Sequence, residues 1–414
     1  MVNVGTPSGE PCVREPVERC YCAPGLGARL RFTRRDTGKV RRRTVVVLGL
    51  VALAVVAVAC APNASQSALE PAGPYAQKSF DLFVPVFWVA VGIFVIVEGL
   101  LLLFVIRYRH RKNQTARIPA QIHGNTRLEI AWTILPTLIL AGVAVPTIAT
   151  IWDLAAKPTG DVLEVNVLAH QWWWEFDYPG QDILTANELH IPTGRPVYLT
   201  LCAVGFGYGT PVPSDGGPPA PNACQTGPPD GQQPAAIGAA VIHSFWVPQL
   251  AGTQDVVPDL TNHLTIQADE PGVYQGQCKE FCGLSHAYMK FRVVAHTPAD
   301  FDRWVAEQQA PASAQVSGPA AAGKDIFLQT CTACHAVAGL ETANGQPAIA
   351  NGAPNLTHLM SRQCFRGCTL ETNDENLARW IADPRSFEAG SFMPDYGLTP
   401  DQIDQVVAFL NTLE

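Results

Sequence analysis

The chain has 414 residues, 47% of them hydrophobic and only 15% charged, with a net charge of −8. Soluble domains carry about 25% charged residues, so this composition points to membrane segments. The mild acidity excludes the basic footprint of a nucleic-acid-binding protein, and the length allows roughly two or three domains.

Residues 29–43 are rich in arginine, and a 16-residue apolar run follows, Thr44 to Ala59. It is short for a membrane span and ends in small residues, which is the pattern of a signal peptide. Cys60, directly after Ala57-Val58-Ala59, resembles the lipid-acceptor cysteine of bacterial lipoproteins, although that family prefers Leu where Ala57 stands. Lipidation, ordinary cleavage and an uncleaved anchor are all open readings. The polar lead before Lys39 also leads us to expect a true start downstream of Met1. Cys12, Cys20 and Cys22 lie in that lead and suggest no role.

Two apolar runs come next. Leu82–Ile106 holds one charge, Glu98, and Ile130–Trp152 holds none. At 1.5 Å per residue each crosses a hydrocarbon core of about 30 Å. They are apolar on all faces, unlike surface helices of a soluble core. The loop between them carries Arg107, Arg109, Arg111, Lys112, Arg117 and Arg127, with no acid before Glu129. The positive-inside bias makes that loop cytoplasmic. Residues 60–81 and everything after Trp152 are then expected outside the membrane.

From Val162 to about His296 short β-type runs alternate with turn signals: Val162–Leu168, Pro196–Leu201, Ala240–Trp246, Leu264–Ala268 and Phe291–Val294. They predict an antiparallel sandwich or barrel. Residues 205–236 interrupt it as a Gly/Pro-rich insertion, and Cys202 and Cys224 are placed for a disulfide that would order it. Residues 309–322 have the composition of a flexible linker. Helical patterns follow over Gly323–Cys334, Glu375–Ala382 and Thr399–Leu413, the last with Pro400 at its first helical position. This tail, 321–414, holds 5 Lys+Arg against 11 Asp+Glu, a local charge of −6. It fits either steering of a basic partner or a plain solvated surface.

Two segments carry chemistry. In Cys278-Lys-Glu-Phe-Cys282-Gly-Leu-Ser-His286-Ala-Tyr-Met289, two thiols, an imidazole and a thioether lie within a dozen residues. Soft sulfur donors with imidazole suit copper or zinc. Two cysteines four apart can each bridge a pair of metal ions, and His243, in a strand-like run, is the best second imidazole. A disulfide or a structural zinc is the competing reading, but the first leaves His286 and Met289 unexplained and the second does not normally use Met. Further on, Cys331-Thr-Ala-Cys334-His335 is the C-x-x-C-H pattern of covalent c-type haem attachment. The sixth ligand should be Met or His. Met393, before Pro394, sits in a loop that resembles the axial-methionine loop of class I cytochromes c, with Met360 and His358 as fallbacks. Cys364 and Cys368 suggest a local disulfide.

Residues 81–298 resemble subunit II of cytochrome c oxidase. The resemblance rests on Glu129-Ile-Ala-Trp132-Thr-Ile-Leu-Pro136, Ala169-His170-Gln171-Trp172-Trp173-Trp174, His243-Ser-Phe-Trp-Val-Pro and the cysteine–histidine–methionine run. It implies a multidomain chain with a two-helix transmembrane hairpin, an all-β cupredoxin sandwich and, behind them, an all-α cytochrome c domain. The expected layout is a tail and signal-like segment over 1–60, the hairpin over 80–153, the copper domain over 160–298, a linker over 299–320 and the haem domain over 321–414. By resemblance, His243, Cys278, Cys282, His286, Met289 and the Glu280 carbonyl hold binuclear copper, and the Glu280 carboxylate faces a magnesium shared with subunit I. Trp172 marks where electrons enter, and Glu129 stands at the mouth of a proton path. Glu98 is expected to face a partner subunit.

The implied protein is the electron-input subunit of a proton-pumping haem–copper oxidase in a bacterial plasma membrane. Its partners would be subunits I and III and a respiratory donor such as cytochrome c. Quinol oxidases share the fold but lack the copper ligands, which this chain keeps. A stand-alone membrane-anchored electron carrier and a copper assembly protein are the rival readings.

Overall fold

The computed structural model describes residues 46–51, 54, 65–109, 121, 124–205, 240–310, 316–341 and 352–414. Cys12, Cys20, Cys22, Cys60, Cys224 and nearly all of the 205–236 insertion lie outside the described residues. The chain divides into two units, 1–62 and 63–414. In the first, residues 46–51 are helical.

The second unit opens with two long helices, α1 (Pro74–Arg107) and α2 (Thr126–Ala155). Both are long and apolar enough to cross a membrane, and neither is buried in protein. Each overshoots the apolar run that predicted it, because helix formation outlasts the apolar segment wherever caps permit. Asn125 caps α2 by accepting from the N–H groups of Arg127 and Leu128. Lys78 pairs with Asp153 at 2.6 Å. Exposed large side chains such as Phe94, Leu102, Trp132 and Leu140 would be unstable in water over this much surface.

Ten strands follow among the described residues: β1 (Leu163–His170), β2 (Trp173–Tyr178), β3 (Ile183–Ala186), β4 (Glu188–Pro192), β5 (Val197–Ala203), β6 (His243–Trp246), β7 (Thr253–Val256), β8 (Asn262–Ile266), β9 (Gly272–Cys278) and β10 (Lys290–His296). They form two five-stranded sheets, β3-β2-β1-β5-β8 and β4-β10-β9-β6-β7. The expectation of a purely antiparallel sandwich is corrected here: β1 runs parallel to β5, and β10 parallel to β4. Both parallel pairs join strands distant in sequence, so short turn signals could not reveal them. The facing layers bury Val167, Trp174, Phe176, Phe245 and Phe291 completely. Each such side chain contributes about 1.5–3 kcal/mol by leaving water.

The segment read as the first part of the linker is not a linker. Residues 298–308 form helix α3 (Pro298–Gln308), capped by Thr297, with Phe301 and Trp304 buried in the sandwich core. Their i, i+3 spacing puts both on one face. Trp304 also stacks on His190 at 4.4 Å.

The C-terminal part is helical. Helix α4 (Pro319–Thr330) packs on α7 (Pro400–Leu410) through Phe327 and Phe409, with α5 (Asp374–Ala382) and the short α6 (Pro384–Phe387) beside them. Thr399 and Gln402 close a reciprocal capping box on α7. A small hairpin, β11 (Cys364–Phe365) and β12 (Leu370–Glu371), projects from this part.

Candidate metal and haem centres

The first cluster grows from sheet pairing. β6 runs antiparallel to β9 with Phe245 opposite Cys278, which brings His243 Nδ1 to 3.9 Å from Cys278 Sγ. The chain then loops out and closes on itself, the Cys278 N–H donating to the Met289 carbonyl at 2.9 Å. Inside that loop Cys278 Sγ and Cys282 Sγ lie 3.8 Å apart. Cys282 Sγ also lies 3.6 Å from His286 Nδ1 and 3.7 Å from Met289 Sδ. The Glu280 carbonyl stands 3.2 Å from Cys278 Sγ. The arrangement is two central sulfurs, each flanked by one imidazole and one weak donor.

The donor set fits a pair of soft metal ions. Two sulfurs bound to one metal at about 2.3 Å are separated by roughly this sulfur–sulfur distance. The electrostatics agree. Hydrogen bonding between the thiols draws Cys278 down and pushes Cys282 up, so one thiolate is available even before a metal displaces the second proton. Burial keeps His243 neutral, as a ligand must be, by lowering its pKa. His243 and Met289 are fully buried, while the Glu280 side chain is exposed. The other two assignments lie away from the cluster. Glu129 is exposed at the start of α2, its Oε1 accepting from the Asn125 N–H at 3.3 Å, and Glu98 is exposed on α1.

The second centre is an apolar cavity whose lining includes Cys331, Cys334, His335, Met393, Arg362 and Trp172. Helix α4 ends before Cys331 rather than running through Cys334 as the pattern suggested. A tight turn follows, the Cys334 and His335 N–H groups donating to the Cys331 carbonyl at 3.1 and 2.9 Å. That turn lets both thiols and the imidazole reach one cavity. His335 Nδ1 is 2.8 Å from the Pro354 carbonyl. Donation there leaves Nε2 with its lone pair free for iron. Burial lowers the His335 pKa and keeps the ring neutral.

Of the three sixth-ligand candidates, the cavity takes Met393, whose Sδ accepts from Trp380 Nε1 at 3.1 Å. Met360 packs against the helical core. Both ring nitrogens of His358 are engaged by carbonyls, of Glu414 at 2.8 Å and Gln308 at 3.0 Å.

Arg362 provides a separate test of fit to haem. Its guanidinium is buried, lines the cavity, and has an unpartnered Nε. Nη2 donates to the Asn355 carbonyl at 2.5 Å, and no carboxylate forms an ion pair with it among the described residues. A buried guanidinium with no direct carboxylate partner, and only the longer-range charge of Glu188 near it, suits a cavity whose occupant brings carboxylates, as haem does.

The two centres meet at Trp172. Its ring lines the cavity and stacks on Phe392 at 6.4 Å, and its Nε1 donates to the Cys282 carbonyl at 3.1 Å. Gly390, at φ +84°, abuts that ring so closely that a Cβ would come within 2.6 Å of it. Sequence reading missed Arg362 and Gly390, which sit in no spaced motif, and the pairing of His170, within the aromatic run, with buried Glu175 at 3.5 Å beside Trp173. The expected disulfide Cys364–Cys368 is formed; Cys202 is disulfide-bonded, and its expected partner lies outside the described residues.

Comparison with known proteins adds three family models. They are the transmembrane domain of cytochrome c oxidase subunit II over residues 62–150, its periplasmic domain over 234–296, and cytochrome c over 320–414. The chain is 34% identical to cytochrome c oxidase subunit 2 of Alkalihalophilus pseudofirmus over 86% of this chain and 93% of that protein. It is also 34% identical to cytochrome c oxidase subunit 2 of Bacillus sp. strain PS3 over 84% and 91%. Quinol oxidase subunit 2 of Bacillus cereus is 31% identical but matches only 58% of this chain and 72% of its own length.

Proposed function

The chain belongs to the cytochrome c oxidase subunit II family and carries a cytochrome c domain behind the oxidase domains; from that premise we propose that it receives electrons at its C-terminal domain and delivers them through copper to an oxygen-reducing subunit. Membership makes it part of an oxidoreductase complex, with subunit I as its associate. When bound, haem c and binuclear copper supply successive one-electron stations between an external donor, such as cytochrome c, and subunit I, where oxygen reduction drives proton pumping.

Cys278, Cys282, His243, His286, Met289 and the Glu280 carbonyl would together hold the copper pair, a donor set that would leave no open position for a substrate. Cys331 and Cys334 would attach haem, His335 and Met393 would ligate its iron, and Arg362 would hold a haem carboxylate. The exposed Glu280 carboxylate faces a magnesium shared with subunit I. α1 and α2 span the bacterial plasma membrane with the copper and haem domains outside, Glu129 stands at the cytoplasmic mouth of a proton path, and subunit III is a further neighbour. The domains divide at about 160 and 321, with the copper domain extended through α3 (Pro298–Gln308) by its packing and the linker confined to the residues after it.

One observation carries the relay: a single indole both lines the haem cavity and hydrogen-bonds the backbone of a copper-bridging cysteine. The test is metal and haem analysis of the purified complex, followed by light-triggered reduction of haem c in the parent and in Trp172→Phe. The relay predicts binuclear copper with a mixed-valence signal, one c-type haem, and transfer slowed by about tenfold in the variant with both spectra unchanged. Zinc at the cysteine loop, or a purified complex lacking any second haem-bearing subunit, would sink the reading.

A further inference from the structure

The copper and haem assignments absorb most of the motif residues, but not the segment from Gln363 to Glu371. Cys364 and Cys368 are disulfide-bonded across a two-strand hairpin. Its turn holds three consecutive residues in the left-handed region, Arg366, Gly367 and Cys368, at φ 50°, 58° and 55°. Two of these are not glycine, so the turn is held against local preference. Cys364, Phe365 and Arg366 line the haem cavity.

The hairpin also meets the copper domain. At Gly367 an added Cβ would lie 1.9 Å from the Tyr288 carbonyl oxygen and 2.8 Å from the Lys290 nitrogen. The tip therefore touches backbone on both sides of Met289. The Arg366 guanidinium sits 4.2 Å from the Tyr288 ring centroid, donates to Thr369 Oγ1 at 3.0 Å, and also donates to the Phe387 carbonyl. At the base, the Gln363 N–H donates to Glu188 Oε1 at 3.1 Å, and Arg292 Nη1 donates to Gln363 Oε1 at 3.4 Å. Cys368 Sγ lies 3.6 Å from the Asn187 carbonyl. Beside the hairpin, Ser285 Oγ, fully buried, donates to the Ala389 carbonyl at 2.9 Å.

We propose that the disulfide-bonded hairpin 363–371 is a docking clasp whose partner is this chain's own copper domain, seated on the Met289 loop and the Asn187–Glu188 corner, so that the haem domain is fixed on the copper domain rather than carried as a loose tether. The disulfide holds the left-handed tip in the one shape that lets Gly367 reach Tyr288. The glycine supplies the close approach, because any side chain there would push the domains apart. Arg366 fastens the tip by stacking on Tyr288, and Glu188 fastens the base. The clasp rests on the relay reading only for its electron-transfer consequence; the docking itself is a statement about contacts.

The experiment compares the full-length protein in its complex with Cys364→Ser/Cys368→Ser, Gly367→Val and, from the copper side, Glu188→Ala. Two readouts are followed: hydrogen exchange over 186–190, 284–290 and 363–371, and the rate of haem-to-copper transfer after light-triggered haem reduction. The clasp predicts exchange faster by about tenfold or more in all three segments and transfer slowed by a similar factor, because a fixed contact becomes a tethered encounter. The haem spectrum stays at the parent value in Gly367→Val and Glu188→Ala, since neither residue lines the haem cavity. Parent-like exchange and transfer in all three variants would overturn the clasp. So would loss of the haem spectrum with unchanged protection of 186–190 and 284–290, since the hairpin would then serve the haem wall alone. If the parent itself carries no copper or haem, the relay fails, while the exchange data still decide the docking.

Discussion

The copper cluster and the haem cavity are assembled from the chain in opposite ways. Five donors of the first, counting the Glu280 carbonyl, fall between Cys278 and Met289, and only His243 arrives from elsewhere, by strand pairing. The cavity instead draws its lining from 327 to 410 and from Gln171, Trp172 and Asn187 in the copper domain. A compact loop with donors 3.6–3.9 Å apart should respond to damage all at once. A cavity with many walls should respond by degrees.

The largest effect is expected at Cys282. Its sulfur is the hub of the cluster, near Cys278, His286 and Met289 together. Cys282→Ser replaces the soft bridging donor by a hard one and should remove copper from the purified complex. Oxygen consumption with an external donor should fall by about two orders of magnitude or more, since no side chain nearby can replace a bridging thiolate. The covalent haem and its spectrum should be unaffected, because no atom of Cys282 lines the cavity. Full copper content with sustained turnover would show that the loop is not the metal site and would erase the contrast.

Met393→Ala should act more gently. The proposed attachment through Cys331 and Cys334 is untouched, so haem content should stay constant. The low-spin spectrum should change and the haem potential should fall, because an axial Met raises it. Reduction of the haem by the external donor then becomes less favourable by about tenfold for each 59 mV the potential falls, on a simple equilibrium argument for one electron, while onward transfer to copper gains that driving force. An unchanged spectrum would return the ligand to Met360 or His358, although both carbonyl contacts of His358 would first have to break.

The same contrast explains what could be read in advance. Cys278 to Met289 and Cys331 to His335 are contiguous, so their chemistry was visible as spacing, and the membrane helices as runs of apolar residues. His243 was found because a strand-like run is where sheet pairing must supply a ligand. Arg362, Glu188, Gly367 and Gly390 carry no signal of that kind. Their importance depends on which backbone lies opposite, and that is set by the packing of two domains. The parallel pairing of β1 with β5 was hidden for the same reason, since a crossover leaves no turn motif between the partners. Helix α3 was misread because Pro298 and Ala-rich residues after Gln309 blurred into one linker-like composition, although Phe301 and Trp304 already held a helical spacing.

The smallest effect distinguishes the two regions by pH. Each contains one buried carboxyl whose pKa burial has pushed up: Asp177, in the sandwich, to about 6, and Glu388, beside the cavity, to about 7. Asp177 retains a hydrogen bond from Asn166 Nδ2 at 2.8 Å, and Arg366 partly offsets the rise at Glu388. In each case the folded state holds its proton more tightly than the unfolded chain. Stability from these groups is therefore full below the unfolded pKa and is lost as pH rises through the folded one. The windows run from about 3.8 to about 6 for Asp177 and from about 4.5 to about 7 for Glu388. The loss is at most about 3 kcal/mol for each, at 1.36 kcal/mol per pKa unit. Asp177→Asn should flatten the lower window and Glu388→Gln the upper one, measured by urea unfolding with tryptophan fluorescence reporting the sandwich and haem absorbance the cavity. If either variant flattens both probes together, the two regions unfold as one unit. That outcome would limit the contrast to ligand chemistry and tie stability to the clasp that joins them.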